Sequence, residues 1–519
     1  MPRRLALSAG ALAVAAVAAA LFFTDLGEAA LIGDEAIHAQ VARESAAPGR
    51  ESFLPPLYAG RPYTAKPPLK ILAVAWIFDR FGVSELNARV LDAGFGVATV
   101  VLVFLFGSRL WGPATGALAA LLLATAENYV FDHGVRSGVQ DSALVLLLTA
   151  GLFLYFLGRE PGGVGERGRR RRLLLVASGL AIGLAALVKG AAAALVFPVL
   201  AVWELALLRR SGGPRVAVRA LATVVLLALC CYLVWFAAAW SWIERGLLSR
   251  LYRDTVTRAT ESIDPGHVHG PLYYPLELAA DFGPWLLAAL PALLVLLPGG
   301  LRAAGRRAET ASAEGQDHLG REDSTRFGRL DRDGLAFVWI WVLVLLAVLT
   351  LSVSKLPWYL YPAYPALCLV LARGAVEAVR RTRRAPLIAA IVAALLLVEL
   401  GLRLGAVRSR LVEEPRPVKV KLYAEAIAAL PRTRLVVDRQ VDLRAWEMFY
   451  LAPLGDRPWR LPPDLRTPSP GVCRFLLWRL RWAPGHVEAS RPVRALPVSG
   501  SSEREVWLLD LDHCMPLWL

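Results

Sequence analysis

The sequence predicts a polytopic α-helical membrane protein, and three observations carry that expectation. Of the 519 residues, 56% are hydrophobic. The mean hydropathy is +0.48. The apolar residues fall in long unbroken blocks rather than in the patterned faces of a soluble domain.

A helix that crosses a hydrocarbon core of about 30 Å needs about 20 mostly apolar residues. Eleven segments meet that standard by length and charged flanks: 5–24, 87–107, 113–131, 139–158, 173–189, 190–208, 218–240, 274–298, 334–353, 357–372 and 386–403. The first has the basic start and apolar run of a signal peptide. The acidic stretch that follows it favours an uncleaved first helix instead.

The formal net charge of +15 raises nucleic acid as a partner. Its distribution argues otherwise. Loops 159–172, 209–219 and 373–385 hold 15 basic residues in 38 positions, whereas loops 25–86 and 241–273 hold 10 in 95. Loop 299–333 adds seven arginines to the first side. The positive-inside rule then puts the N-terminus and the basic loops in the cytoplasm. No aromatic residues interleave with a basic stripe as a nucleic-acid platform requires.

With eleven spans the C-terminus lies outside. Residues 1–403 form the transmembrane domain, with the external loop 25–86, and residues 404–519 form a small external α/β domain. In that domain "TRLVVDR", "VCRFLLWRL" and "REVWLLDLD" read as strands and "VKLYAEAIAAL" as a helix. Segment 306–333 reads as a polar cytoplasmic loop. Cys230, Cys231 and Cys368 fall in spans as small apolar residues. Cys473 and Cys514 fall in the external domain, where the compartment permits a disulfide.

Polar residues gather at the external ends of the spans. Loop 25–86 supplies Asp34, Glu35, His38 and Lys66, and the turn after the third span supplies His133, Arg136 and Asp141. Lys189, Arg258, His267, His269 and Lys355 lie at the same level. Charged groups beside a bilayer are costly and tend to face an aqueous cavity, where they usually function.

The lysines sharpen this reading. The chain has six lysines among its 58 basic residues, and four of them, Lys66, Lys70, Lys189 and Lys355, lie near the outer surface. Snorkelling accounts for Lys70. The other three stand in the tight contexts "AKPPL", "VKGA" and "SKLP". A compact ammonium suits a phosphate in a crowded pocket. In the same loop, "DEAIHAQVARE" reads as an amphipathic helix with Asp34 and His38 at i and i+4. "PPLKILAVAWIFDRFG" reads as an interfacial helix with Trp76 at headgroup depth.

"GDEAIHAQVARE", "KPPLKILAVAWIFDRFGVSELNARV", "GSRLWG", "RSGVQDSALVLLL", "GLAIGLAALVKG" and "SKLPWYLYPAYPAL" occur in that order. The set resembles the bacterial glycosyltransferases related to ArnT and to the protein O-mannosyltransferases, over about residues 1–375. The resemblance implies a GT-C fold in the bacterial inner membrane and a polyprenyl-phosphate sugar as donor. The acceptor is a lipid, a protein or a glycan, and the transferred group a hexose or pentose.

By the same resemblance Asp34, with its neighbour Glu35, is the catalytic acid pair. Lys66, Arg136, Lys189 and Lys355 face the donor phosphate. His38, Asp141, His269 and Tyr359 line the substrate pocket. The family often has an acid where this chain has Ala65, which leaves a divalent metal uncommitted, with His267 and His269 as candidate partners. It also often has Arg and Tyr where this chain has Ile37 and His38.

The implied reaction is a displacement at the anomeric carbon, inverting, with the lipid phosphate leaving. Fixed cations stabilise the charge that develops on that phosphate, and carboxylates favour the oxocarbenium-like sugar. Asp34 can act as general base towards a hydroxyl acceptor. A flippase or transporter of lipid-linked sugars is the alternative. Its polar residues should sit near the bilayer midplane, whereas here they cluster at one face.

Overall fold

The computed structural model describes residues 2–160, 166–208, 213–240, 242, 260–261, 265–296, 318–381 and 386–413, with strands at 433–437, 473–478, 494–497 and 507–510. A helix lies at each of the eleven expected segments. In chain order they begin with α1 (Pro2–Phe23), α2 (Gly33–Ser45), α3 (Leu69–Phe81), α4 (Glu85–Trp111), α5 (Pro113–Ala124) and α6 (Glu127–Phe131). Next come α7 (Asp141–Gly158), α8 (Glu166–Lys189), α9 (Val196–Leu207), α10 (Pro214–Trp240), α11 (Tyr273–Phe282) and α12 (Ala289–Leu296). The last are α13 (His318–Leu351), α14 (Tyr364–Arg381) and α15 (Pro386–Glu413).

Among the described residues eight helical stretches are long and apolar enough to cross a membrane. One of them, Gly168–Leu207, runs for 40 residues and holds both α8 and α9. Apolar side chains face outward along these helices. Val234 is 71% exposed and Leu397 68%. Bare apolar surface of that extent belongs against acyl chains, where only a helix keeps its own backbone satisfied. Inside the bundle, Phe106 of α4 stacks on Phe153 of α7 with ring centroids 3.8 Å apart.

Local chemistry sets the ends of the helices. Ser84 caps α4 by accepting the Asn87 N–H at 3.1 Å, which helices favour at their first turn. Gly190 has φ +61°. That left-handed residue ends α8 at Lys189 and starts a 3-10 stretch, Gly190–Leu195. Pro357 and Pro362 likewise make the start of the tenth expected span a 3-10 segment, Pro357–Ala363, before α14 begins.

Some expectations change. The segment 113–131 is a 12-residue helix followed by a short one, α5 and α6, separated by a break after Ala124. Residues 318–333, read as loop, belong to α13, which continues back from its apolar half through a proline-free charged stretch. Cys368 is buried as expected, but Cys230 lies on an exposed face of α10.

Loop 25–86 holds both expected helices, α2 and α3, and their buried faces pack together through Ala36, Ala39, Ile71, Val74 and Ala75. It also contains a two-stranded hairpin, β1 (Leu57–Tyr58) with β2 (Arg61–Pro62). The Glu44 carboxylate fixes its turn by accepting the Ala59 and Gly60 N–H groups, each at 2.8 Å.

In the C-terminal segment, β3 (Thr433–Val437), β4 (Cys473–Trp478), β5 (Arg494–Pro497) and β6 (Trp507–Asp510) form one mixed sheet in the order β3-β4-β6-β5. β3 runs parallel to β4, and β6 runs antiparallel to both its neighbours. Three of these strands coincide with the expected runs, and β5 does not. The expected helix at 418–430, Arg258, Cys514 and the side chain of Cys473 lie outside the described residues.

Candidate active site

Asp34 and Glu35 open α2, where the helix dipole favours acids. Adjacent residues on a helix project about 100° apart, and the two carboxylates have different fates. Asp34 is exposed and accepts no hydrogen bond among the described residues. Glu35 turns inward to a two-pronged pair with Arg89 of α4, at 2.6 Å from Nε and 2.7 Å from Nη2. It also accepts the Gly138 N–H at 2.7 Å.

The other donors of Arg89 reach the carbonyls of Leu26, Ala29 and Ala30 at 3.0, 2.6 and 3.2 Å. One buried ion pair therefore ties together the turn that leads into α2, the start of α4 and the 132–140 turn. Glu35 was expected to be catalytic. The structure commits its carboxylate to Arg89 and the Gly138 N–H.

A second buried pair lies beside the first. Lys70 of α3 sits 2.5 Å from Asp92 of α4, with side chains 1% and 0% exposed. Lys70 also donates to the Val139 carbonyl, and Ser142 donates to Asp92. The sequence gave no hint of this, because Lys70 fitted snorkelling and Asp92 lay inside an apolar run.

His38 is buried one helical turn beyond Asp34. Burial, together with the nearby ammonium groups of Lys70, Lys66 and Lys189, holds its imidazole well below the ordinary histidine value, and a bond to the Gly138 backbone opposes them. Its Nδ1 has no hydrogen-bond partner among the described residues. Three lysines, from α3, its approach and the end of α8, thus lie within electrostatic range of this ring.

Lys189 pairs with Asp141 at the start of α7. Its ammonium stands 6.0 Å from the ring centroid of Tyr359. The cation ends one helix and the carboxylate begins another, the placement that both helix dipoles favour. Beside them His133 stacks on Trp358, with centroids 3.8 Å apart and planes 13° apart. Burial lowers the His133 imidazole; Asp141 and Asp34 oppose this, Lys189 adds to it, and Glu35 opposes it.

Three expected residues do other work or stand apart. Arg136 was expected to meet the donor phosphate. Its Nη1 instead donates to the Leu21, Phe22 and Thr24 carbonyls at 3.3, 3.1 and 2.7 Å, capping the C-terminal end of α1. Lys355 is buried, with Nζ on the Ser352 carbonyl at 2.5 Å and its backbone N–H on the His267 carbonyl at 2.8 Å. Val268 pairs with Ser354 alongside, and His269 stacks on Tyr273 at 4.1 Å. Among the described residues neither Lys355 nor His269 bonds to the Lys189 group, and no three His, Cys, Asp or Glu side chains come together as a metal-binding set.

The comparisons with known proteins bear on this arrangement. Residues 34–244 match the family model described as dolichyl-phosphate-mannose-protein mannosyltransferase, or PMT. An uncharacterized protein of Aquifex aeolicus (strain VF5) is 30% identical over 137 residues, which is 26% of this chain and 27% of that relative.

The structure of ArnT from Cupriavidus metallidurans in the apo state superposes with a TM-score of 0.66 at 18% identity, over 97% of this chain and 98% of that one. The chain has the fold of this ArnT. The same ArnT bound to undecaprenyl phosphate gives a TM-score of 0.64 at 19% identity, over 96% and 97%. The archaeal oligosaccharyltransferase AglB of Archaeoglobus fulgidus, in complex with an inhibitory peptide and a dolichol-phosphate, gives 0.53 at 12% identity, over 85% of this chain and 63% of its own. The PMT match begins at Asp34 and takes in both charge groups as far as Lys189. In this GT-C chain Trp358 and Tyr359 lie beyond it.

Proposed function

We propose that the protein is a membrane glycosyltransferase that moves a sugar from a polyprenyl-phosphate donor to an acceptor at the outer face. The observation that carries this is the cluster of Lys189, Asp141 and Tyr359, with Lys66, Lys70 and Lys189 all in electrostatic range of the buried His38. Cations in a water-poor pocket gain strength from the low local dielectric. They act most where charge develops, and in this reaction that is the leaving phosphate. Lys66 and Lys189 carry the donor contact, with Tyr359 beside Lys189, and Lys355 is a further buried cation. Asp34 is the exposed carboxylate on the acceptor side. Asp141 holds Lys189 and adds negative charge near the oxocarbenium-like sugar.

The reading extends to topology and product. The N-terminus lies in the cytoplasm and residues 404–519 outside, following the basic loops. A single displacement inverts the anomeric configuration. The exposed apolar side chains of α3, Leu69, Trp76 and Phe81, form the surface against which a lipid tail lies.

The test is transfer from a radiolabelled panel of polyprenyl-phosphate sugars into membrane extracts by wild type, Asp34→Asn and Lys66→Ala. Transfer by wild type that both variants lose supports the reading, and the labelled product names the acceptor. Movement of intact donor across vesicles without transfer replaces it with a flippase.

A further inference from the structure

His133 stands out among the groups at this site. Its ring lies flat on Trp358 at 3.8 Å, which fixes the plane of the imidazole. Its backbone φ is +55°, a left-handed conformation that few residues other than glycine adopt. Such conformations gather at functional sites, where the surrounding structure holds them in place. The side chain is half-buried, and neither ring nitrogen has a hydrogen-bond partner among the described residues.

Four charged side chains lie in electrostatic range of His133. Asp34 and Glu35 approach from α2, Asp141 from the start of α7 and Lys189 from the end of α8. Its chain neighbour Asp132 is paired with Arg410 of α15 at 2.8 Å. Glu35 is committed to Arg89 and Lys189 to Asp141, so Asp34 is the facing carboxylate without a hydrogen bond. An oriented imidazole with carboxylates in its field can take up a proton, the carboxylates offsetting part of the cost that burial imposes on the cation.

We propose that His133 is the base that accepts the proton of a hydroxyl acceptor, an inference that rests on the transfer reading above. The acceptor oxygen forms its bond to the anomeric carbon as the bond from that carbon to the phosphate oxygen breaks. The electron pair leaves with the lipid phosphate towards Lys66 and Lys189. The hydroxyl proton passes to a ring nitrogen of His133, and Asp34 with Asp141 offsets the imidazolium. An imidazole, with an ordinary value of about 6.5, is a stronger base than a carboxylate at about 3.9, and a base works best when its value lies near the operating pH. Asp34 then acts through His133 as well as on the sugar.

The experiment uses the purified full-length chain and the donor that the panel identifies. It measures kcat against pH and, separately, donor affinity for wild type, His133→Asn and His133→Phe. Asparagine tolerates the left-handed backbone, and phenylalanine keeps the flat face for Trp358. Both variants should lose about 100-fold or more in kcat, the usual share of a general base, with donor affinity kept within about threefold. Wild-type kcat should fall about tenfold per pH unit on the acid side of the imidazole value, and the variants should lack that limb.

Three results overturn the proposal: a variant within about fivefold of wild type in kcat, a wild-type rate that is flat down to about pH 5, or a labelled product in which the sugar sits on a phosphate oxygen. The last two need no variant to fold. A wild type that transfers sugar and does not need His133 removes this inference alone. A wild type that transfers from no donor removes the transfer reading and this inference with it.

Discussion

Removing the Glu35 carboxylate should unlock the site before it touches any chemistry. The Glu35 and Arg89 side chains are 8% and 5% exposed and share two charge-assisted bonds of 2.6 and 2.7 Å. Glu35→Ala strips the buried Arg89 charge of the Glu35 carboxylate, and removing one partner of a buried pair costs about 3–5 kcal/mol. The orphaned Gly138 N–H adds about 1–3 kcal/mol, only partly additive because both effects follow the same loop.

The lower end of that range alone reduces the folded-to-unfolded ratio on the order of a hundredfold. Equilibrium denaturation in detergent measures it for Glu35→Ala, Arg89→Met and the double variant. The double should be less destabilised than the sum of the singles, because an apolar pair leaves no stranded charge. Transfer should fall in step with stability. A Glu35→Gln protein with wild-type stability and no transfer would refute this reasoning and return Glu35 to the reacting groups.

Lys70→Met should destabilise by about 3–5 kcal/mol, because Asp92 is then buried without its cation, and adding Asp92→Asn should recover most of the loss in the same denaturation assay. Gly134→Ala should lower the melting temperature and abolish transfer, since a Cβ there would stand 1.7 Å from the Tyr129 carbonyl. The control Gly94→Ala, whose Cβ meets nothing within 4 Å, should do neither. Acid should weaken the fold through His38, whose imidazole is held well below the ordinary value. The unfolded chain takes up that proton first, so stability falls as pH drops from about 6.5 towards the lowered folded value and is unaffected above it. A His38→Gln protein with the same acid-side slope in melting temperature would remove His38 as the cause.

The helices were legible because each is a block of apolar residues long enough to be recognised without knowing its neighbours. The lysine pocket was legible for a different reason. Against a background of arginine, Lys66 and Lys189 carried information by their identity. Partnership could not be read. Lys70 reads as a snorkelling residue until Asp92, on another helix, is brought beside it. Glu35 reads like Asp34 until α2 gives the two acids different directions. Arg136 lies in the right turn, and an arginine that caps a helix looks no different in sequence from one that waits for a phosphate. His133 was visible as one polar residue of a group, but its stack on Trp358 joins positions more than 200 apart in the chain. β5 was missed because "RALP" is too short to show an alternating pattern.

α15 bears on how the protein can be shortened. Its Arg403 reaches the Asp281 carbonyl at 2.6 Å and the Thr125 carbonyl at 3.1 Å. Its Arg410 grips Glu127 and Asp132 at 3.0 and 2.8 Å. A stop codon placed after the last apolar residue near 403, chosen to trim the chain to its membrane helices, deletes the grip on Asp132, the residue next to His133. A stop placed after Glu413 keeps it. Those ten residues decide whether a trimmed protein reports on the loss of the C-terminal sheet or on a loosened active-site turn.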